Sequence, residues 1–228
     1  IGITPTQPSS QENIECTGIA SDVDPGDTSL LSYSYTWYVD GVLQSETSSL
    51  LSAPFSVNSL IDCTVTVSDG EDEGDSLSAS VTIANTIPEI TSFSFDIDPI
   101  YTNDLLTTTV VSEDIDGDTI NLNYDWYVDG NLVKTGLGNT LDGTQDFDKN
   151  QQIWAIVTPN DGTEDGNSYT SNILSVQNSP PDTPILSIEP AVPLPEVDPL
   201  VCIVAPEMID DDGDSLSYLF EWTKNGSP

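Results

Sequence analysis

Three loops of the chain are dense in aspartate, and their spacing is typical of ligands for a hard cation. In "DIDGD", for example, carboxylates alternate around a glycine turn. Alternate carboxylates in such a turn can direct their oxygens at one ion at about 2.3–2.6 Å, the ligation that Ca²⁺ prefers. The candidate ligands in these loops are Asp22, Asp24 and Asp27; Asp114, Asp116 and Asp118; and Asp210, Asp212 and Asp214.

A second kind of acidic loop, "SDGEDEGD" or "NDGTEDGN", follows later in the first two copies of a repeated pattern. Asparagines also stand in the linkers "ANTIPEI" and "QNSPPDTP", where their side-chain oxygens would help to ligate an ion at the junction between neighbouring domains. The alternative is that each asparagine only forms a turn before proline. These additional candidates are Asp69, Asp72, Asp161 and Asp165 in the loops and Asn85 and Asn178 in the linkers.

Calcium is the metal that these loops predict. They are not EF-hands, because the glycine of "DIDGD" comes too early and no glutamate stands at the twelfth position. Mg²⁺ suits them less well, since it takes fewer carboxylates and keeps its waters. Zinc is not expected in a chain without histidine. The alternative is that the acidic turns bind no ion and serve solubility.

Charge excludes several classes of function. The 228 residues contain 39 Asp plus Glu but only 3 Lys plus Arg, so the formal net charge is -36. Nucleic-acid binding needs clustered basic residues to displace phosphate counterions, and binding to anionic membranes needs them too. No apolar run reaches the 18 residues of a membrane-spanning helix. We therefore predict neither a nucleic-acid partner nor direct insertion into a membrane.

The chain repeats itself about every 90 residues. "YSYTWYVDG" returns as "LNYDWYVDG" and, more weakly, as "YLFEWTKNG". Each phrase alternates apolar and polar residues around a tryptophan, as in a half-buried strand, and ends in a hairpin turn signal. Because this period matches one sandwich domain, we predict an all-β chain of tandem β-sandwich repeats at 1–87, 88–180 and 181–228, the third incomplete.

Cysteines fit the same architecture. Cys16 precedes the first tryptophan strand and Cys63 follows it, which in an immunoglobulin-like sandwich places them opposite each other across the core. We predict a disulfide between them, the alternative being two buried free thiols. A disulfide implies export to an oxidising compartment. In this topology the two kinds of acidic loop also emerge at one end of the domain, so we expect them to meet in space.

The Asp-rich, Trp-centred phrases "DVDPGDTSLLSYSYTWYVDG", "DIDGDTINLNYDWYVDG" and "DDDGDSLSYLFEWTKNG" resemble immunoglobulin-like repeats of giant secreted bacterial and archaeal proteins, akin to PKD and cadherin-like modules. The resemblance covers nearly the whole chain. It implies extracellular or cell-surface display and stiffening by calcium. In the first loop Pro25 precedes Gly26, which departs from the "DxDGD" form.

We expect a structural or adhesive segment of a long extracellular repeat array, such as a cell-surface fibre, a filament subunit or an adhesin stalk. Its partners would be further immunoglobulin-like repeats of the same chain or of neighbouring subunits. The alternative is an accessory module that binds a surface glycan or a protein for a secreted enzyme or a virion. No catalytic residue is predicted, because histidine is absent and the carboxylates lie in repeated turns rather than in one cleft. The chain is therefore not expected to be an enzyme.

Overall fold

The computed structural model describes residues 1–23, 31–194, 196–205 and 208–224. Within those ranges the chain is built of β-strands and one four-residue helix, so the predicted all-β sandwich class is confirmed. Contacts divide the chain into two compact units. The first unit comprises 1–91 with the loop segments 111–122 and 158–168, and the second comprises 92–110, 123–157 and the described part of 169–228.

Two antiparallel sheets form the N-terminal sandwich. One sheet has the strand order β1-β2-β5 and the other has the order β4-β3-β6-β7. Both consist of short strands with alternating burial, as turn-rich alternating sequences produce. The strands are β1 (Gly2–Thr4), β2 (Ile14–Thr17), β3 (Ser32–Val39), β4 (Val42–Leu43), β5 (Leu50–Leu51), β6 (Leu60–Ser68) and β7 (Leu77–Thr82).

The core of this sandwich lies between its two sheets. Trp37 on β3 is fully buried, and its indole N–H donates to the carbonyl oxygen of Ser48 at 2.8 Å. Cys16 on β2 and Cys63 on β6 form the predicted disulfide, which links the two sheets beside that tryptophan. The alternative of two free thiols is excluded for this pair.

A second set of strands follows. One sheet has the order β13-β10-β8, and a larger sheet has the order β12-β11-β14-β16-β9, with β15 also paired to β14. The pair β16–β9 is parallel. The elements are β8 (Glu89–Phe95), β9 (Ile100–Tyr101), β10 (Leu105–Glu113), β11 (Asn121–Val128), β12 (Asn131–Gly136), β13 (Thr140–Asp142), α1 (Gly143–Asp146), β14 (Gln152–Asn160), β15 (Tyr169–Thr170) and β16 (Leu174–Gln177).

These strands repeat the packing around a buried tryptophan without a disulfide. Trp126 on β11 is fully buried and lies 6.3 Å, ring centre to ring centre, from Phe95 on β8. The positions that match the cysteines hold Thr108 and Ala155, and both are buried. The hairpin after Trp126 turns at Asp129 and Gly130, which both have positive φ, as a type I′ turn requires.

The described part of 181–224 contains a hairpin of β17 (Leu186–Glu189) and β18 (Val201–Val204). The third tryptophan phrase differs from the expectation of a strand, because residues 215–223 belong to no strand there. Trp222 is 47% exposed. Where described, this phrase has no neighbouring strands like those flanking Trp37 and Trp126, and without ladder partners an alternating segment does not become a strand. Cys202 on β18 is a free thiol.

Candidate cation sites at the acidic loops

The loop between β10 and β11 brings three carboxylates together. One oxygen each of Asp114, Asp116 and Asp118 lies within 4.8 Å of the others. Asp114 Oδ1 shapes the loop by accepting the backbone N–H groups of Asp116 at 2.8 Å and Asp118 at 3.3 Å. Gly117 between them has φ +82, a left-handed conformation that glycine adopts without strain. We call these three residues the first acidic cluster.

Two oxygens of the first acidic cluster are left without a partner. Asp114 Oδ2 and Asp116 Oδ1 are buried and accept no hydrogen bond from any described residue. A buried polar atom without a partner is destabilising, and more so when it carries charge. An oxygen-binding cation placed among these carboxylates would remove that cost.

The linker before β8 is tied to this cluster by its backbone. Thr86 donates its N–H to Asp116 Oδ2 at 2.6 Å. The neighbouring Asn85 donates its side-chain N–H to Asp161 Oδ2 at 2.8 Å. Consecutive linker residues thus hold one carboxylate from each of the two kinds of acidic loop. The structure therefore brings those loops together beside the linker, as the topology argument expected.

Asp161 acts as an anchor in this arrangement. It is 8% exposed, and its Oδ1 accepts the N–H groups of Thr163 and Glu164, both at 2.7 Å. The hydrogen bond from Asn85, followed by those from the Glu164 and Thr163 backbone, lowers the pKa of Asp161 below its usual range. Protein donors therefore already stabilise this carboxylate, which lies outside the first acidic cluster.

A glycine allows the loop after β14 to pass close to the linker. A Cβ added to Gly166 would lie 1.9 Å from the carbonyl oxygen of Pro88 and 3.0 Å from Pro159 Cγ. The N–H of Gly166 donates to the Pro159 carbonyl at 2.8 Å, which closes the loop. This position therefore has room for glycine alone.

A second acidic cluster consists of Asp210, Asp212 and Asp214, whose ligand oxygens also lie within 4.8 Å of one another. Asp210 is 5% exposed, and its Oδ1 accepts the N–H groups of Asp212 at 2.9 Å and Asp214 at 3.3 Å. Ser179 in the linker donates its N–H to Asp212 Oδ2 at 2.5 Å. Lys149 forms an ion pair with Asp214.

The remaining predicted ligands lie in other settings. Asp22, Asp69 and Asp72 line one open cleft, but Asp69 Oδ1 accepts N–H groups from its own loop and the three form no carboxylate cluster among the described residues. Asp24 and Asp27 lie outside the described residues.

Two further candidates bind other protein groups. Asp165 accepts the side-chain N–H of Asn160 at 2.8 Å. Asn178 donates its side-chain N–H to the carbonyl oxygen of Ser179 at 2.8 Å, within its own linker. Neither residue belongs to an acidic cluster of the part of the chain that the structure describes.

The sequence alone did not identify several groups that contact the acidic clusters or the linkers. The N–H groups of Thr86 and Ser179 tie the linkers to the clusters, but any residue other than proline carries that donor, so its type gives no signal. Lys149 is more than sixty positions from Asp214, and only the fold joins them. Gly166 could have been noticed, because "EDG" in the second repeat matches "DEG" before Asp75 in the first.

Comparison with known proteins adds little to this geometry. No family model matches the chain, and no curated protein matches it significantly. Among solved structures, the chain is similar to the crystal structure of chicken CNTN1 FN1–FN3 domains, with 9% identity and a TM-score of 0.29. The match covers 75% of this chain and 62% of that chain, which is less than two thirds of its length. No helix in the described residues is long and apolar enough to cross a membrane.

Proposed function

We propose that this chain is a segment of an extracellular structural array of immunoglobulin-like β-sandwiches, and that its first acidic cluster binds Ca²⁺ and fixes the linker at 85–88. The observation that carries this proposal is the pair of buried, unpartnered oxygens on Asp114 and Asp116, directly beside the N–H tether of Thr86. All three aspartates of the cluster offer oxygens, and calcium takes six to eight oxygen ligands.

The extracellular part of the proposal rests on chemistry as well as on resemblance. The disulfide between Cys16 and Cys63 belongs to an oxidising compartment. Extracellular modules bind calcium weakly, with dissociation constants of about 10⁻⁴–10⁻³ M. Extracellular fluids supply calcium at concentrations that such modules bind. Repetition of the same tryptophan phrase and the same linker tether favours a structural array, because a specific binding module needs one surface that differs between its repeats.

Thermal unfolding with calcium and with a chelator tests the metal. An ion present at one hundred times its dissociation constant and bound only to the folded state stabilises it by about 2.7 kcal/mol. For a domain of this size that corresponds to a rise in the unfolding midpoint on the order of 10 °C. We expect this rise for the unmodified chain, and equal midpoints with calcium and chelator would contradict the proposal.

Substitution separates a specific site from a general effect of charge. Asp116→Asn removes one charge and one carboxylate ligand from the first acidic cluster and is expected to abolish most of the calcium-dependent rise. Glu15→Gln removes one charge from an exposed position on β2 and is expected to retain the full rise. If both variants respond alike, calcium acts by screening and the first acidic cluster is not its site.

A further inference from the structure

The two acidic clusters are built by the same device. In each, the middle aspartate accepts a linker N–H, from Thr86 to Asp116 at 2.6 Å and from Ser179 to Asp212 at 2.5 Å. The leading aspartate of each loop accepts two backbone N–H groups of its own loop. The scaffolds differ in one hydroxyl, because Ser179 Oγ also donates to Asp212 Oδ1 at 3.4 Å. Scaffolds that share their backbone hydrogen bonds would be expected to respond similarly to cations unless a charge distinguishes them.

A lysine distinguishes them. Lys149 pairs with Asp214 in the second acidic cluster, and this is the ion pair that the described residues form. With side chains 24% and 49% exposed, an isolated pair of this kind would contribute little. Here, however, the ammonium group is bonded to a carboxylate that belongs to a cluster of three, whose ligand oxygens lie within 4.8 Å of one another.

Lys149 lies in the repeat that precedes the second acidic cluster. The position that matches it, in the repeat that precedes the first acidic cluster, carries no charge. Asn58 and Asn150 both have φ +67 and lead into β6 and β14, and their N–H groups donate to Ile83 and Val176 respectively, both at 2.9 Å. The residue before each asparagine is therefore equivalent: Val57 in the first case and Lys149 in the second. Among the described residues, the first acidic cluster therefore has no ion pair like the one that Lys149 forms in the second.

The two clusters also differ in whether their buried carboxylate oxygens have hydrogen-bond partners. Asp114 Oδ2 and Asp116 Oδ1 in the first acidic cluster are buried without a partner, whereas no carboxylate oxygen of the second cluster is in that condition among the described residues. In the second cluster, Asp212 Oδ1, which corresponds to Asp116 Oδ1, accepts the Ser179 hydroxyl at 3.4 Å, and Lys149 neutralises the neighbouring Asp214. The cluster without a lysine is the one with unpartnered buried oxygens.

We infer that Lys149 is a built-in counter-cation of the second acidic cluster, so that this cluster holds its linker without a divalent ion while the first depends on one. The consequence for calcium affinity rests on the proposed function, but the role of Lys149 in the metal-free protein does not. An ammonium at the carboxylates also repels an incoming divalent cation, so the second cluster is expected to bind calcium about tenfold or more weakly than the first.

Hydrogen exchange of two backbone amides, followed by NMR on the full chain, provides matched probes. The amide of Thr86 reports the tether to the first acidic cluster, and that of Ser179 reports the tether to the second. In chelator we expect the Ser179 amide to be protected and the Thr86 amide to exchange about tenfold or more faster. Calcium is expected to slow exchange at Thr86 and to change it little at Ser179.

Two variants exchange the properties of the clusters. Lys149→Gln is expected to speed exchange of Ser179 in chelator about tenfold and to make it respond to calcium. Val57→Lys is expected to protect Thr86 in chelator and to weaken its calcium response. Lys224→Gln, which removes the same charge from an exposed side chain, serves as the control and is expected to behave as the unmodified chain.

The outcomes separate this inference from the proposed function. If Ser179 stays equally protected in Lys149→Gln with chelator, the inference is overturned, whatever calcium does at Thr86. If calcium leaves Thr86 unchanged in the unmodified chain, the proposed function fails. In that case the exchange of Ser179 in metal-free Lys149→Gln still decides whether the lysine is the counter-cation.

Discussion

Asn85 and Asn178 occupy corresponding linker positions but make different contacts. Asn85 donates to Asp161, whereas Asn178 donates to the backbone of its own linker. We predict that Asn85→Ala raises the pKa of Asp161 toward the ordinary aspartate value of about 3.9, because it removes the main cause of the lowering. Titration of the Asp161 carboxyl by carbon NMR in chelator measures this change.

The sign of the accompanying stability effect follows from linkage. Because the folded-state pKa of Asp161 lies below its unfolded value, its contribution to stability is complete above the unfolded pKa and is lost as pH falls through the folded pKa. The difference in stability between the unmodified chain and Asn85→Ala should therefore be present at neutral pH and shrink in acid. Asn178→Ala is the matched control, and an equal effect from it would refute the assignment.

Residue type made the carboxylates of Asp116 and Asp212 predictable, because alternating aspartates around glycine are a local pattern. Their partners were not predictable in the same way. The tether from Thr86 is a backbone donor without a side-chain signature, and Lys149 reaches Asp214 only through the fold. Local patterns reveal groups that must be present in one loop, whereas contacts between distant loops require the coordinates.

Close approach of the 158–168 loop to the linker depends on Gly166. We predict that Gly166→Ala destabilises the protein by about 1–3 kcal/mol, the usual cost of overpacking, because its Cβ would overlap the Pro88 carbonyl oxygen. The linker must shift to relieve the overlap, so exchange of the Thr86 amide should also accelerate. Urea unfolding and hydrogen exchange measure the two effects.

Gly138→Ala is the control for that substitution. A Cβ at Gly138 would meet Lys134 Cε at 3.5 Å, an ordinary contact. Stability should therefore change little in this variant, and Thr86 should exchange at its normal rate. A harmless Gly166→Ala would mean that the loop and the linker do not approach as closely as the structure has them.

Strands were predictable wherever the alternating pattern also found partners. β3 and β11 follow the tryptophan phrases, and their turns at Asp40-Gly41 and Asp129-Gly130 have the positive φ values that the residue types require. The phrase around Trp222 carries the same alternation but forms no strand among the described residues. The alternating pattern predicts which face of a strand would be buried. Whether the strand forms depends on hydrogen bonds to a neighbouring strand, which the pattern does not predict.

At the scale of the whole molecule, the net charge of -36 dominates the electrostatics. Self-repulsion of this size destabilises the compact state. Simple salt relieves it by screening: the Debye length falls from about 30 Å at 0.01 M to about 3 Å at 1 M. A cation bound within a cluster relieves it differently, because it acts at contact distance and at a far lower concentration.

Screening by salt and binding of a cation within a cluster predict different dependences of the unfolding midpoint on salt. In chelator, the unfolding midpoint should rise steadily as NaCl increases from about 0.01 M to 1 M. In 0.01 M NaCl without chelator, about 1 mM CaCl₂ should raise the midpoint more than the same concentration of MgCl₂, although their ionic strengths are equal. Mg²⁺ demands near-ideal octahedral geometry and keeps its waters, whereas Ca²⁺ accepts several carboxylates in flexible geometry. Equal shifts with the two ions would show that divalent cations act on this chain by screening alone, and the first acidic cluster would then be an acidic turn without a ligand.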